Sequence, residues 1–178
     1  MSAKKPIPDY NSNTPADPPS GIVVHSQSQV LELTYDTGPA RLPFEFLRVY
    51  SPSAEVVGHG PGQEVLQVGK RGVTISGLEP VGLYAVKPTF SDGHASGIFS
   101  WGYLRWLADH QEALWQDYLD RLQAAGASRD PDPHAAPTPS ASGCASHGKS
   151  AGAGQTAAAK PATSAGGGKA FTAKIESI

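Results

Sequence analysis

The sequence predicts an α+β domain, a small and mostly antiparallel sheet covered by C-terminal helices, with disordered tails at both ends. Three observations carry that reading. Val30, Glu32 and Thr34 alternate with Leu31, Leu33 and Tyr35, the period of two expected of a half-buried strand. From Glu64 to Trp101, apolar runs are broken by Gly-Lys-Arg-Gly, Pro-Val-Gly and Asp-Gly turns. From Ser100 onward the period becomes helical, and strands followed by helices are the order of an α+β fold.

Taken in chain order, residues 1–21 hold five prolines and little apolar surface, too little to offset the entropy of ordering them. The folded domain is expected over 22–125. Its first strand is "QVLELTYD", and Pro43 suits the first position of a short helix running to Val49. Three or four strands follow in "EVLQVGKRGVTISGLEPVGLYAVKPTFSDGHASGIFSW". Ser100 is a good N-cap for "WGYLRWLA", and Asp109 with Glu112 looks like a capping box for a second helix, His110 to Ala124. That helix puts Leu114, Trp115, Tyr118, Leu119 and Leu122 on one stripe, and Gly126 stops it. Residues 126–178 are Ala/Gly/Ser/Pro/Lys low complexity, a flexible extension whose final "AFTAKIESI" is expected to be a frayed end, docking through Phe171, Ile175 and Ile178 on a partner or on the domain itself being the other option.

Composition narrows the function classes. At 178 residues the chain has room for one domain and its tails. Residues 21–125 carry seven Lys and Arg against eleven Asp and Glu, and a mildly acidic core argues against nucleic acid. The single cysteine, Cys144, permits no internal disulfide. Neither a signal-like apolar run nor an 18-residue apolar stretch is present, so a cytoplasmic protein without a membrane span is expected.

The motifs that tempt a chemical reading are incomplete. "GHGPGQEVLQVGKRG" has six residues between Gly62 and Gly69, and Arg71 stands where a phosphate loop needs Ser or Thr. No nucleophile elbow, G-x-S-x-G, occurs within the expected domain, residues 22–125. Cys144 and His147 form an isolated C-x-x-H pair, which falls short of a four-coordinate site. "SDGHASG" reads as a turn at Asp92-Gly93 with His94 at its exit, a ligand role for His94 being the other option. Trp101, Trp106 and Trp115 sit among leucines, as core residues do, one of them at the surface as a partner anchor being the other option.

Two stretches carry a family resemblance. "LPFEFLRVYSPSAE", followed about forty residues later by "FSDGHASGIFSWGYL", resembles the small N-terminal domain of gamma-butyrobetaine hydroxylases. That domain also occurs as stand-alone bacterial proteins (the DUF971 group) and fused to Mrp-type iron–sulfur carrier ATPases. The likeness runs from about Gln29 to Gln123. It implies a zinc site of three Cys and one His, while iron and 2-oxoglutarate belong to a separate barrel. The cysteine positions fall on Ser51, Ser53 and Val56 and the histidine on His94, so three of four ligands are gone. Zinc is the metal the family implies, yet no cofactor is expected here, because one imidazole does not hold structural zinc. Ser51 and Ser53 are expected to close the turn by bonding to backbone groups instead.

These readings lead to a non-catalytic accessory or interaction module with an unidentified protein partner, which the carrier fusions would link to iron–sulfur or cofactor-enzyme maturation. The alternatives are a metal-binding protein using His94 with His59, aided by Glu55, and a non-catalytic subunit of a 2-oxoglutarate oxygenase system.

Overall fold

The computed structural model describes residues 17–58, 63–131 and 173–176. Three strands, β1 (Gly21–His25), β2 (Val30–Tyr35) and β3 (Gly38–Pro43), form an antiparallel meander. In β1 and β2 every second residue is buried, so Ile22, Val24, Leu31 and Leu33 line one face. β1 and β3 go beyond the sequence expectation, which stopped at β2. Gly38 opens β3 at φ 121°, a conformation that a residue with a Cβ rarely adopts.

Pro43 ends β3 and stands as the N-cap of α1 (Phe44–Val49), so the helix begins one residue later than the expected first helical position, Pro43. All six residues of α1 are buried, Glu45 and Arg48 among them. A single turn, α2 (Ala54–Val57), follows. Glu64–Val68, read as part of a strand, has no ladder partner among the described residues and runs as a loop beside α4. Its Gln67 carbonyl accepts a hydrogen bond from the Tyr118 hydroxyl at 2.9 Å.

The single sheet expected is in fact two. β4 (Ile75–Val81), β5 (Ala85–Phe90) and β6 (Phe99–Ser100) make a second antiparallel sheet in the order β4-β5-β6. α1, α2 and the loop lie between β3 and β4 in the chain, and among the described residues no ladder joins the sheets. Both prolines of this second sheet sit where the missing N–H costs little. Pro80 lies on the edge strand β4, and Pro88 lies beyond Ala85 and Val86, the β5 residues that pair with β6.

α3 (Trp101–Asp109) starts as expected, with the Ser100 hydroxyl accepting from the Tyr103 N–H at 3.2 Å. α4 (Gln111–Ala124) does not start on Asp109. That residue closes α3, and the junction is His110, whose Nδ1 lies 2.9 Å from the Trp106 carbonyl. Leu104 and Leu107 of α3 join Leu114, Tyr118 and Leu122 of α4, Phe46 and Leu47 of α1 and the inner face of the first sheet in one core.

Two findings change the picture of the C-terminal part. Packing continues past Ala125, where the sequence reading ended the domain. The carbonyls of Ser128 and Arg129 accept from the N–H groups of Gly69 and Arg71. The Arg129 guanidinium meets the Glu45 carboxylate at 2.8 and 2.5 Å and lies 4.8 Å over the Trp115 ring. Secondly, β7 (Ala173–Glu176) pairs in parallel with the outer edge of β1, giving the order β3-β2-β1-β7. The final segment is therefore not wholly a frayed end. An edge strand carries unpaired N–H and C=O groups, which an extended segment of alternating pattern satisfies.

Candidate functional site

Ser51, Ser53, Val56 and His94 lie where the end of α1 meets the turn after β5. Tyr50 fixes the first of these loops. Its hydroxyl donates to the Leu114 carbonyl at 2.6 Å, and its own carbonyl accepts from the Tyr103 hydroxyl at 2.8 Å. The second loop is fixed by its backbone: the Phe90 N–H donates to the His94 carbonyl at 2.8 Å, and Gly93 turns the chain at φ 85°.

Between the two loops runs a chain of three side chains. Ser51 Oγ is 2.8 Å from His94 Nε2, and His94 Nδ1 is 2.9 Å from Glu55 Oε2. A carboxylate only accepts, so Nδ1 carries the proton and Nε2 accepts from the Ser51 hydroxyl. A second link lies alongside. Asp92 Oδ2 accepts from Arg48 Nε at 2.9 Å and from Lys70 Nζ at 2.7 Å, and Asp92 Oδ1 accepts from the His94 N–H at 3.3 Å. Burial pushes the His94 imidazole below its ordinary pKa, and the nearby Arg48 charge adds to this against the pull of Glu55. For Asp92 burial acts upward, but the Lys70 hydrogen bond and the charges of Arg48 and Lys70 outweigh it and hold the carboxyl low.

Ser-His-Glu connectivity is that of a hydrolase triad, yet the surroundings refuse the chemistry. Ser51 is 0% exposed, and Gly97 packs so closely that a Cβ there would overlap Ser51 Oγ. No acyl carbon can reach that hydroxyl. The chain of bonds works as a pin between two loops.

Nor does the donor set suit zinc. Both His94 ring nitrogens are taken, Val56 is an aliphatic residue buried in the fold, and hydroxyls are poor ligands for a soft metal. Among the described residues no group of three or more His, Cys, Asp or Glu gathers to hold a metal. His59, the other proposed ligand, and Cys144 lie outside the described residues. The expectation that both serines bond to backbone is corrected. Ser51 bonds to the imidazole, while Ser53, at the N-cap of α2, has a buried Oγ with no hydrogen-bond partner. Sequence reasoning missed the Arg48–Asp92–Lys70 link; the only signal was an arginine inside a helix that is apolar apart from it and Glu45.

The family model described as gamma-butyrobetaine hydroxylase-like, N-terminal, matches residues 22–105. A protein solved by NMR in solution is 54% identical, over 65% of this chain and 91% of its own, with a TM-score of 0.58. A second NMR structure is 47% identical, over 67% and 89%, also with a TM-score of 0.58. A crystal structure of a protein of unknown function of the DUF971 family from Acidithiobacillus ferrooxidans is 41% identical, over 52% and 98%, with a TM-score of 0.43. This chain belongs to the gamma-butyrobetaine hydroxylase-like N-terminal (DUF971) family. No curated protein matches it. The family match takes in β1 and ends at Arg105, so α4 and Arg129 lie beyond it. No helix among the described residues is long and apolar enough to cross a membrane.

Proposed function

We propose that this DUF971 chain is a non-catalytic interaction module that presents Leu83 and Tyr84 to a protein partner. One observation carries the reading. These neighbouring residues are 81% and 58% exposed, yet their turn is held rigidly by Trp101. The Trp101 indole N–H donates to the Leu83 carbonyl at 2.7 Å, and its backbone N–H donates to the Tyr84 carbonyl at 3.0 Å. An apolar and an aromatic side chain displayed on a pre-ordered turn have the character of an interface anchor, since little entropy is lost when they bind. The metal-binding alternative would require His94 to give up two hydrogen bonds before ligating.

The carrier fusions of the resemblance make an Mrp-type iron–sulfur carrier ATPase the first partner to try, with a role in cluster or cofactor-enzyme maturation. The full chain and a Leu83→Asp/Tyr84→Ala variant are immobilised and offered that ATPase and a 2-oxoglutarate oxygenase. Retention of the ATPase by the wild type and its loss by an equally stable variant supports the reading. Retention of the oxygenase instead favours the oxygenase-subunit alternative. Equal retention by both baits refutes the Leu83–Tyr84 surface.

A further inference from the structure

β1 meets β7 through four residues, with Ile22 opposite Ala173, Val23 opposite Lys174, Val24 opposite Ile175 and His25 opposite Glu176. Residues 132–172, forty-one in number, separate the last domain contact from β7. A connection of that length can span far more than the width of the domain, so it dictates neither the register nor the direction of the strand. Main-chain pairing and residue pattern must supply both, and this is how strand addition by a separate peptide works.

The pattern fits the edge. Ile22 and Val24 are buried on the core face, and the residues at their register positions are the apolar Ala173 and Ile175. Val23 and His25 are half-buried, and their register positions carry Lys174 and Glu176. His25 Nε2 is buried 3.5 Å from Glu32 Oε2 with no hydrogen-bond partner, so the edge ends at an imidazole. An acidic residue stands at that position of the incoming strand.

We propose that the outer edge of β1 is a strand-addition site for an extended peptide running parallel to it, with the order apolar, basic, apolar, acidic, and that Ala173–Glu176 is its resident occupant in cis. The site is separate from Leu83 and Tyr84 and stands or falls independently of them. A tethered occupant competes at an effective concentration on the order of millimolar, so a partner peptide binds only weakly until that strand is released.

The test uses the full chain and a full-length Lys174→Pro/Ile175→Pro variant. Successive strand residues point their N–H groups to opposite sides, so two adjacent prolines necessarily remove a ladder donor. A fluorescently labelled peptide of residues 171–178 is titrated into each protein, beside a control of the same composition with the alternation broken. The expected result is at least about tenfold tighter binding to the variant, loss of binding for the control, and faster amide exchange in Ile22–His25 of the variant with β2 unchanged. Equal binding to both proteins, no binding to either, or equal binding of the control overturns the proposal. So does unchanged exchange in β1.

Discussion

His94 is bonded at both ring nitrogens and almost fully buried, so its charge state is tied to folding. Its pKa in the fold lies below the ordinary imidazole value of 6.5. Between the two values the unfolded chain binds more protons than the folded one. The His94 contribution is therefore complete above 6.5 and is lost as pH falls toward the folded value. Asp92 is also held low, but it titrates from 3.8 downward, in a separate window. We expect stability to fall as pH drops from 7.5 to 5, and His94→Gln to flatten that slope; urea midpoints across the range measure both. An unchanged slope in His94→Gln would place the titration elsewhere.

Gly97 sets a second test of the pin at the same scale. A methyl group there overlaps Ser51 Oγ and comes within 3.3 Å of the Phe99 ring and 3.4 Å of Pro52 Cδ. Gly97→Ala should cost about 1–3 kcal/mol. Ser51→Ala should also cost about 1–3 kcal/mol, because it strands His94 Nε2 without a donor. The double variant should cost less than the two together, since removing Oγ removes most of the clash. Strict additivity in chemical denaturation would show that the two residues are not in contact.

At the scale of elements, the unusual piece is α1. Six residues buried without a solvent face would be wholly apolar in an ordinary core, yet this helix holds Glu45 and Arg48. Each charge is satisfied by another part of the chain, Arg48 by Asp92 and Gln67 and Glu45 by Arg129. Breaking such a pair leaves a buried charge alone, so Arg129→Ala should destabilise by about 3 kcal/mol, read from urea unfolding. A loss under about 0.5 kcal/mol would mean that water replaces the guanidinium. Trp115 of α4 closes the same corner, 6.2 Å from the Phe46 ring and beneath Arg129. It is only partly buried, so Trp115→Ala should cost roughly 2–3 kcal/mol, below the cost of emptying a sealed site.

Across the whole molecule, the two ends of the C-terminal part contribute differently. Residues 127–131 are joined to the domain by backbone bonds and by Arg129, whereas β7 adds four residues at a sheet edge. A chain ending at Pro131 should melt within a few degrees of full length. One ending at Gly126 should melt well below it, because Glu45 loses its partner. Thermal unfolding of the two truncations decides this, and equal melting points would remove Arg129 from the list of stabilising contacts.

The sequence by itself determined the class of fold, the amphipathic helices, the Ser100 cap and the absence of cysteine at the family's zinc positions. These follow from local periods, cap chemistry and residue identity, all of which act within a few positions of chain. It also brought Ser51 and His94 into one hypothesis through the family resemblance. Only the tertiary structure decided what those residues do. The bond from Ser51 to His94 spans 43 positions and the bond from His94 to Glu55 spans 39, and neither separation leaves a local trace. The same holds for Glu45 and Arg129, 84 positions apart, and for β7 on β1. A charge in an apolar helix signals that a partner exists somewhere, but burial and packing choose which one, because only the assembled core fixes the distances on which electrostatics and hydrogen bonding depend.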